Sequence, residues 1–473
     1  MNRFVGVVAF VFAIGLSFYS GFLYRGVDPV LTGEVDERIL EVMDELQENH
    51  YSQPDEDLLV QGAIDGMIAA LDDPFTTYFS ASDQEEYNQG FEESYVGIGV
   101  TVSYVNELIV VEQVATNGPA DQAGILVNDI IAFIDGEDVR GDAFYETISK
   151  VVGEVGSTVE IGVIRQGFDL PIYFEIERAL IDSPSITYEV FEEDGKMVGY
   201  IDVNTFGSET ATLFSQAIDS LEEEAIDGMV IDLRDNGGGY LSAVVSMLDE
   251  FLIDNGKPMF STEYYVNGSF RRDEYFATNT EEKTYRILTL INENSASASE
   301  VFASAMQEHG GHKVVGTTSF GKGTMQTDVP LQAVVGDSIH LTIGKWFTSN
   351  EGWVHYDGGT DGVVPDILVE PTELMQAYKV FLLEGDEIVF DSVNTRLENI
   401  QVVLNGMGYN VRTDGYFDLD TRDALMDLQA NNGLSVSGEL TPDTLEVLNA
   451  FLTEYKENPY NDAVLMEAVT QID

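Results

Sequence analysis

The stretch Asn294-Ser-Ala-Ser-Ala-Ser-Glu300 follows an apolar run at residues 287–292 and precedes a segment with helical spacing. A short apolar run bounded by small polar residues is typical of a buried strand, so this pattern predicts a strand-to-helix junction in an α/β domain. Ser297, the middle serine, would then lie near the positive end of a helix. There it can present its hydroxyl while the next backbone N–H helps to bind an oxyanion.

The serine cluster also has a purely structural interpretation. Ser297 and Glu300 have the spacing of a capping box, in which the two side chains satisfy backbone N–H groups at a helix start. The cluster alone therefore favours capping over catalysis. A base has to be found before Ser297 is a candidate nucleophile.

A second motif, Phe320-Gly-Lys-Gly-Thr-Met-Gln326, offers that base. Lys322 lies between two glycines, which let the backbone approach closely and let a long side chain point inward. A lysine acts as a base only if its pKa is lowered, and burial in an apolar pocket has that effect. Ser-Lys pairs are a known variant of the catalytic triad. Gln326, four residues after Lys322, is expected to make a hydrogen bond that fixes the lysine amine or ammonium.

Two competing interpretations use the same region. Among the five histidines, His309 and His312 are near Ser297 in sequence, but we expect them to complement the C-terminus of the following helix. Residues 316–322 fit the G-x-x-x-x-G-K pattern of a nucleotide-binding loop. That match fails at Gly323, where a serine or threonine should reach a magnesium ion.

A glycine-rich motif, Asp232-Leu-Arg-Asp-Asn-Gly-Gly-Gly239, joins a predicted strand to a predicted helix. Such a loop leaves backbone N–H groups free to point at an anion, although it also suits a tight turn with close helix packing. With Ser297 in the same domain, the Gly239 N–H becomes a candidate oxyanion donor.

Taken together and in this order, the three motifs resemble those of the C-terminal processing peptidases, also called tail-specific proteases. The resemblance implies that Ser297 is the nucleophile, Lys322 the general base and Gln326 its support. It also implies an oxyanion hole made by the backbone N–H groups of Gly239 and Ala298. No metal or organic cofactor is implied.

The resemblance extends to a multidomain α/β fold. Its peptidase core, residues 181–375, would be a layered α/β domain of the crotonase or Clp-protease kind. A PDZ β module would be inserted at residues 94–180, after an N-terminal helical region at 27–93. A small helical domain at 387–453 resembles peptidoglycan-binding domains, although it also suits a packing role. We expect a polar tail at 454–473.

Short β-type runs and closely spaced turn residues also indicate a compact β module at residues 94–180. Its opening sequence resembles the carboxylate-binding loop of PDZ domains, in which backbone amides hold a peptide C-terminus while the peptide adds as a strand. Arg165 lies where related enzymes carry an arginine that links peptide binding to the active site, although it also suits a plain surface role. The residues of the predicted peptide-binding loop are Val96, Gly97, Ile98, Gly99 and Val100.

The N-terminus predicts export. Arg3 precedes the uncharged residues 4–23, which match the thickness of a bilayer's hydrocarbon core. We favour an uncleaved signal anchor within residues 1–26 over a cleaved signal peptide. The catalytic part would then lie outside the cytoplasmic membrane. The anchor and the resemblance of the C-terminal module to wall-binding domains together suggest a Gram-positive-type envelope.

The composition excludes some partners. The formal net charge is −62, from 22 Lys+Arg and 84 Asp+Glu. Such a surface repels nucleic acid and anionic lipid heads, and adaptation to salt, alkali or an acidic wall explains it more simply than attraction of a basic substrate. The absence of cysteine excludes disulfides, thiolate metal sites and cysteine nucleophiles.

The sequence therefore predicts a membrane-anchored serine endopeptidase that cleaves protein substrates near their C-terminus. Expected partners are protein or peptide C-termini, the membrane and peptidoglycan. The sequence does not decide whether the chain forms a homodimer. The alternative from another class is a scaffold, in which the PDZ and wall-binding modules recruit partners and the peptidase core is incidental. A nucleotide hydrolase is a third, weaker alternative.

Overall fold

The computed structural model describes residues 34–472, apart from residues 106–107, 143, 166–167, 169, 267, 333, 358–360 and 383–387. The chain divides into two compact units between Tyr78 and Phe79. The described part of the first unit contains helices α1 (Glu34–Asn49) and α2 (Glu56–Ala69), and strand β1 (Thr77–Phe79) lies at the boundary. The predicted membrane anchor lies outside the described residues. None of the helices in the described ranges combines the length with the apolar character that a membrane span requires.

The second unit begins with a helix and a compact β domain. Strands β3, β4, β5, β7 and β8 are antiparallel neighbours in that order, β6 pairs with β5, and β2 pairs with β9. The elements of this part are α3 (Ala81–Gln89), β2 (Ser94–Gly97), β3 (Val100–Val105), β4 (Leu108–Val114), α4 (Pro119–Ala123), β5 (Ile130–Ile134), β6 (Glu137–Asp138), α5 (Phe144–Val151), β7 (Thr158–Ile164), β8 (Ile172–Glu177) and β9 (Ala179–Asp182).

Alternation along strand β4 explains how this β domain packs. Ile109 and Val111 point into the domain core together with Ile131. Leu108 and Val110 are buried on the opposite face of the same strand, because side chains alternate across a strand. Both faces of β4 are therefore covered.

A mixed sheet forms the next domain. Within the described ranges its strand order is β10-β11-β12-β15-β16-β19, and only the β10–β11 pair is antiparallel. The elements of this domain are β10 (Ile186–Glu193), β11 (Lys196–Val203), α6 (Thr210–Glu223), β12 (Gly228–Asp232), α7 (Leu241–Leu248), β13 (Phe260–Val266), β14 (Ser269–Tyr275), β15 (Arg286–Ile291), α8 (Ala298–Glu308), β16 (Lys313–Gly316), β17 (Thr324–Pro330), β18 (Ser338–Thr348) and β19 (Ile367–Leu368).

The parallel pairing decides where the candidate site lies. The carboxyl ends of parallel strands meet at one edge of a sheet, where α/β proteins bind their ligands. Strand β12 leads into the glycine-rich loop, β15 into the serine cluster and β16 into the loop that contains Lys322. A second, antiparallel sheet carries β14, β13, β18 and β17, and β17 begins just after Lys322.

The chain ends in a helical module and one further helix. The first helix of the module begins at Thr395, because the Asn394 side chain caps it by accepting a hydrogen bond from the Arg396 N–H at 2.9 Å. Thr441 caps a later helix of the module, and Pro442 is the first residue of that helix. The elements are α9 (Glu373–Gln376), α10 (Thr395–Gly406), α11 (Leu419–Asn431), α12 (Pro442–Glu457), a 3-10 turn (Pro459–Asn461) and α13 (Ala463–Thr470).

Helix α13 lies in the segment that the sequence predicts as a polar tail. Its apolar side chains are buried against the peptidase sheet, on the face opposite α6, α7 and α8. A parallel sheet needs cover on both faces, and α13 supplies cover on this one. The final residues therefore complete the peptidase core. The side chains that form this layer are Val464, Leu465, Ala468, Val469 and Ile472 from the C-terminus and Val198, Val230, Leu288, Leu290 and Val315 from the sheet.

Residues 378–382, here called the strap, join the β domain to the helical module. Val380 packs into the module core, and its N–H and C=O both bond the side chain of Asn449, at 3.0 and 2.9 Å. Lys379 and Phe381 point the other way. The Lys379 Nζ lies 2.5 Å from Glu112 Oε2 on β4, and Phe381 packs on the outer face of β4. The strap thus contacts one domain on each side.

Candidate active site

Ser297 occupies a sharp turn between β15 and α8. Its backbone has φ 54° and ψ −111°, outside the extended region that ordinary N-cap residues adopt. A non-glycine residue held in such a conformation costs about 1–3 kcal/mol, and such strain persists mainly at functional sites. Nucleophilic serines of several hydrolases lie on turns of this kind. The backbone therefore favours a nucleophile over a simple cap.

The flanking serines have structural contacts. Ser295 and Ser299 are fully buried, and their hydroxyls donate to backbone carbonyls of the preceding loop, Leu233 O at 2.7 Å and Asn236 O at 2.8 Å. These two bonds fasten the serine turn to the glycine-rich loop. Ser297, in contrast, is only half-buried.

The glycine-rich loop lies against the serine turn. A Cβ at Gly238 would come within 3.0 Å of both the Ser297 Cβ and the Ala298 nitrogen. The backbone N–H of Phe206 donates to Gly238 O, and the backbone C=O of Phe206 accepts from the Tyr240 N–H. Because both neighbours of Gly239 bond to Phe206, the Gly239 N–H points away from Phe206. Gly239 has φ 143°, and a Cβ there would lie 2.4 Å from Phe206 O. Only glycines allow this close approach.

Hydrogen bonds with three side chains hold the backbone of the loop around Lys322. The Lys322 C=O accepts from Trp346 Nε1 at 2.9 Å, and the Gly323 C=O accepts from Trp353 Nε1 at 2.9 Å. These are both tryptophans of the chain. The Gly323 N–H donates to His355 Nδ1 at 3.2 Å. The half-buried Lys322 thus extends from a rigid backbone.

Glu300 joins the two loops. Its side chain is fully buried, and its Oε2 accepts the backbone N–H of Ser297 at 2.8 Å and that of Lys322 at 2.8 Å. Its Oε1 accepts the Ser319 hydroxyl at 2.6 Å and the Gly321 N–H at 2.7 Å. Burial raises the pKa of the Glu300 carboxyl, while these four bonds act in the opposite direction.

Gln326 lies on β17, next to a β-bulge in its pairing with β18. Its Nε2 donates to the hydroxyls of Thr324 at 3.0 Å and Thr342 at 3.1 Å. These two bonds fix the plane of the side-chain amide. Its predicted support of Lys322 stays a prediction.

Comparisons with known proteins identify the family. The peptidase family S41 model matches residues 197–369, the peptidoglycan-binding domain model 394–448, the PDZ domain model 96–174 and the model of the activating protease CtpB N-terminal domain 32–83. Carboxy-terminal processing protease CtpB of Bacillus subtilis is 34% identical over 430 residues, which cover 90% of this chain and 87% of that protein. The chain belongs to the carboxy-terminal processing proteases. It is a serine-type protease with a PDZ domain, as the sequence motifs predict.

One further relative and one solved structure are also similar to this chain. Carboxy-terminal processing protease CtpA of Bacillus subtilis is 30% identical over 434 residues, covering 92% of this chain and 89% of its own. Among solved structures, the photosystem II D1 C-terminal processing protease is 27% identical, with a TM-score of 0.45 over 71% of this chain and 87% of its own.

In the PDZ domain of this carboxy-terminal processing protease, the predicted peptide-binding residues 96–100 run from the end of β2 to the first residue of β3. Ile98 and Gly99 are buried, and Gly99 has φ 78°. Arg165 bonds within the same domain: its Nε and Nη2 donate to the Asp129 carboxylate at 2.7 and 2.6 Å, and Nη2 also donates to Gly124 O at 2.7 Å. Hydrogen bonding to Asp129 raises the pKa of Arg165. A role in signalling to the active site stays a prediction.

The competing interpretations fit the structure less well. The His309 ring lies within hydrogen-bonding distance of backbone carbonyls, with Nε2 2.9 Å from Ile253 O. Burial lowers the pKa of His312. The loop at residues 316–322 leads into strand β17 rather than into a helix, so it lacks the helix N-terminus that a nucleotide-binding loop uses.

Sequence reasoning missed several residues that shape the site. The spacing between Glu300 and Ser297 predicts only a capping partner, and the local sequence does not indicate that Glu300 also binds the Lys322 loop. No sequence pattern links the Lys322 loop to Trp346, Trp353 or His355, because these residues reach the loop from β18 and from the segment after it.

Proposed function

We propose that this protease uses a Ser297–Lys322 dyad to cleave protein substrates near their C-terminus. Ser297 Oγ attacks the scissile carbonyl while the neutral Lys322 amine takes its proton. The resulting ammonium then protonates the leaving amine, and an acyl group remains on Ser297. Water, activated by the same lysine, hydrolyses that ester and restores the enzyme.

One observation carries this assignment: the backbone nitrogens of Ser297 and Lys322 donate to the same oxygen, Glu300 Oε2. The two nitrogens therefore lie at most two hydrogen-bond lengths apart. Their residues come from separate loops of the sheet edge, so this proximity is a property of the fold rather than of the sequence.

The oxyanion would be bound by the N–H groups of Gly239 and Ala298. Ala298 is the first residue of α8, where the helix N-terminus favours negative charge. Gly238 contacts Ala298 closely enough that the two loops form one wall next to Ser297. Donors fixed in advance in this way stabilise the charge that develops in the transition state.

Substrate C-termini would bind in the PDZ domain. Strand β3 is the end strand of its sheet among the described strands, so an added peptide strand can pair with it. The amides of residues 96–100 lie at the start of this strand and just before it, and they would bind the terminal carboxylate. Cleavage of a peptide with a free C-terminus, compared with its amidated form, tests this part: amidation should raise KM and leave kcat nearly unchanged.

The location of the enzyme is also a proposal. The uncharged residues 4–23 would anchor it in the membrane, with the catalytic domains on the extracytoplasmic side. The C-terminal module at 394–448, matched by the peptidoglycan-binding domain model, would contact the cell wall. Fractionation of cells that express the full chain, followed by protease shaving, tests the orientation.

The dyad is tested by hydrolysis of a peptide with a free apolar C-terminus. Ser297→Ala and Lys322→Ala should each lose at least about 1,000-fold in kcat. Lys313→Ala, at an exposed lysine of neighbouring strand β16, is the control and should keep wild-type activity. Equal hydrolysis by wild type and Ser297→Ala would leave the scaffold alternative standing.

A further inference from the structure

The Glu300 carboxylate accepts more hydrogen bonds than a helix cap requires. In the described part of the chain, four groups donate to it, two to each oxygen, and all four are uncharged. A capping box accounts for the bond to the Ser297 N–H alone. The other three bonds run to Ser319, Gly321 and Lys322, on the loop that carries the base.

This bonding pattern fits an ionised carboxylate. Three of the four donors are backbone N–H groups, which cannot accept, so a protonated carboxyl could direct its hydrogen only at the Ser319 oxygen. That oxygen already accepts the Val363 N–H at 2.7 Å, and the Ser319 hydroxyl hydrogen would then need another acceptor. Burial without hydrogen bonds would make such a charge very unfavourable, and the four donors offset part of that cost. A negative charge is thus held at the centre of the site.

That charge matters when the reaction begins. Once Ser297 gives its proton to Lys322, the lysine becomes an ammonium in a half-buried position. A nearby negative charge stabilises such a cation. In triad proteases an aspartate orients the histidine base and stabilises its protonated form. Here the side chain of Gln326 is uncharged and cannot supply this second function.

We propose that Glu300 is a positioning residue that serves both members of the dyad. Its carboxylate keeps the backbones of Ser297 and Lys322 in fixed proximity and supplies the negative charge that stabilises the Lys322 ammonium. This inference rests on the Ser-Lys dyad proposed above. Two further titratable residues contact the backbone of the Lys322 loop: His355, which accepts from the Gly323 N–H, and Tyr356, whose N–H donates to Gly321 O.

The test compares two substitutions that separate geometry from charge. Glu300→Gln removes the charge and places an amide N–H₂ among N–H donors, whereas Glu300→Asp keeps the charge on a shorter side chain. For hydrolysis of a peptide with a free apolar C-terminus, we expect kcat to fall about 10- to 100-fold in both variants, with KM within about twofold of wild type. Glu223→Gln, at an exposed glutamate that ends α6, is the matched control.

The pH profile of kcat/KM distinguishes this role from a structural one. A carboxylate near Lys322 favours the ammonium, so Glu300→Gln should move the acid limb of the profile to lower pH, and Glu300→Asp should leave it in place. Ser319→Ala, which keeps the carboxylate and removes one donor, is a milder variant in case Glu300→Gln does not fold; it should lower kcat about threefold without moving the limb.

Wild-type kcat and an unmoved acid limb in folded Glu300→Gln would overturn the inference. The same holds if kcat falls only in proportion to the folded fraction, measured by near-UV circular dichroism, and the limb stays in place. If Glu300→Gln and Glu300→Asp both fail to fold, a Ser319→Ala enzyme with wild-type kcat would overturn it. Full activity in Ser297→Ala would instead refute the dyad itself, so the two failures are distinguishable.

Discussion

Arg234 and Asp462 form an ion pair, with 2.7 Å between Arg234 Nη2 and Asp462 Oδ2. Arg234 belongs to the glycine-rich loop and also pairs with Asp232 at the end of β12, at 2.5 Å. Asp462 caps α13 by accepting the N–H groups of Val464 and Leu465. The last helix is thereby connected to the loop that supplies the candidate oxyanion donor.

Asp462→Asn isolates this ion pair, because asparagine also caps helices well. We expect the free energy of unfolding to fall by about 1–3 kcal/mol, since the largely buried Arg234 loses one of its two carboxylate partners. Urea unfolding of the full chain measures this, with exposed Asp443→Asn in the first turn of α12 as the control. Equal stability of Asp462→Asn and wild type would show that the pair contributes nothing.

Phe381→Ala tests the strap. The Phe381 side chain is buried against Leu108, Val110 and Ile130 of the PDZ domain, and removing it should cost about 3–5 kcal/mol. Phe270→Ala, at a phenylalanine that is 73% exposed, should change the free energy of unfolding by less than about 0.5 kcal/mol. A similar small effect for both substitutions in urea unfolding would mean that the strap does not hold the PDZ domain.

Asp202 makes the stability of the peptidase core depend on pH. Burial and the neighbouring Asp232 charge raise the pKa of Asp202 to about 6. The folded state therefore favours the protonated form. This contribution to stability is present below the ordinary carboxyl range and is lost as the pH rises through about 6.

Asp202→Asn should consequently be more stable than wild type at pH 8, by about 2–3 kcal/mol. The advantage should disappear at about pH 4, where Asp202 is protonated in the folded state. Urea unfolding at the two pH values measures the difference, and Asp219→Asn, at an exposed residue of α6, is the control. An advantage that is constant with pH would contradict the raised pKa.

Trp353→Phe removes the N–H that holds the Gly323 carbonyl and keeps most of the ring. One lost hydrogen bond should loosen the Lys322 loop and lower kcat about fivefold, with KM within about twofold. Tyr265→Phe, at an exposed aromatic residue on β13, should leave both constants unchanged. Steady-state kinetics on a peptide with a free apolar C-terminus measure both constants. A wild-type kcat in Trp353→Phe would contradict this role of Trp353.

The fold and the candidate site differ in how well the sequence predicts them. The strand ends, the serine cluster and the Lys322 loop follow from local patterns, because small residues and glycines punctuate apolar runs at those positions. Helix α13 has only eight residues, and a helix of that length is marginal alone. Its burial against the sheet stabilises it, and that contact is not visible in the local sequence.

Contacts distant in sequence explain the other omissions. Glu300 has the spacing of a cap, and only the fold shows that the loop carrying Lys322 returns to the same carboxylate. The strap depends on the match between Lys379 and Glu112, which belong to different domains. Such pairings can be recognised only in the tertiary structure, because neither a lysine at position 379 nor a glutamate at position 112 is unusual in its local sequence.

The most direct test of the proposed dyad is mass spectrometry of the full chain after reaction with a fluorophosphonate, which labels activated serines. We predict one adduct per chain on Ser297 in wild type, and slower labelling by at least about 100-fold in Lys322→Ala. Lys313→Ala, as the control, should label at the wild-type rate. An adduct on a different serine, or unchanged labelling of Ser297 in Lys322→Ala, would contradict the assignment of the dyad.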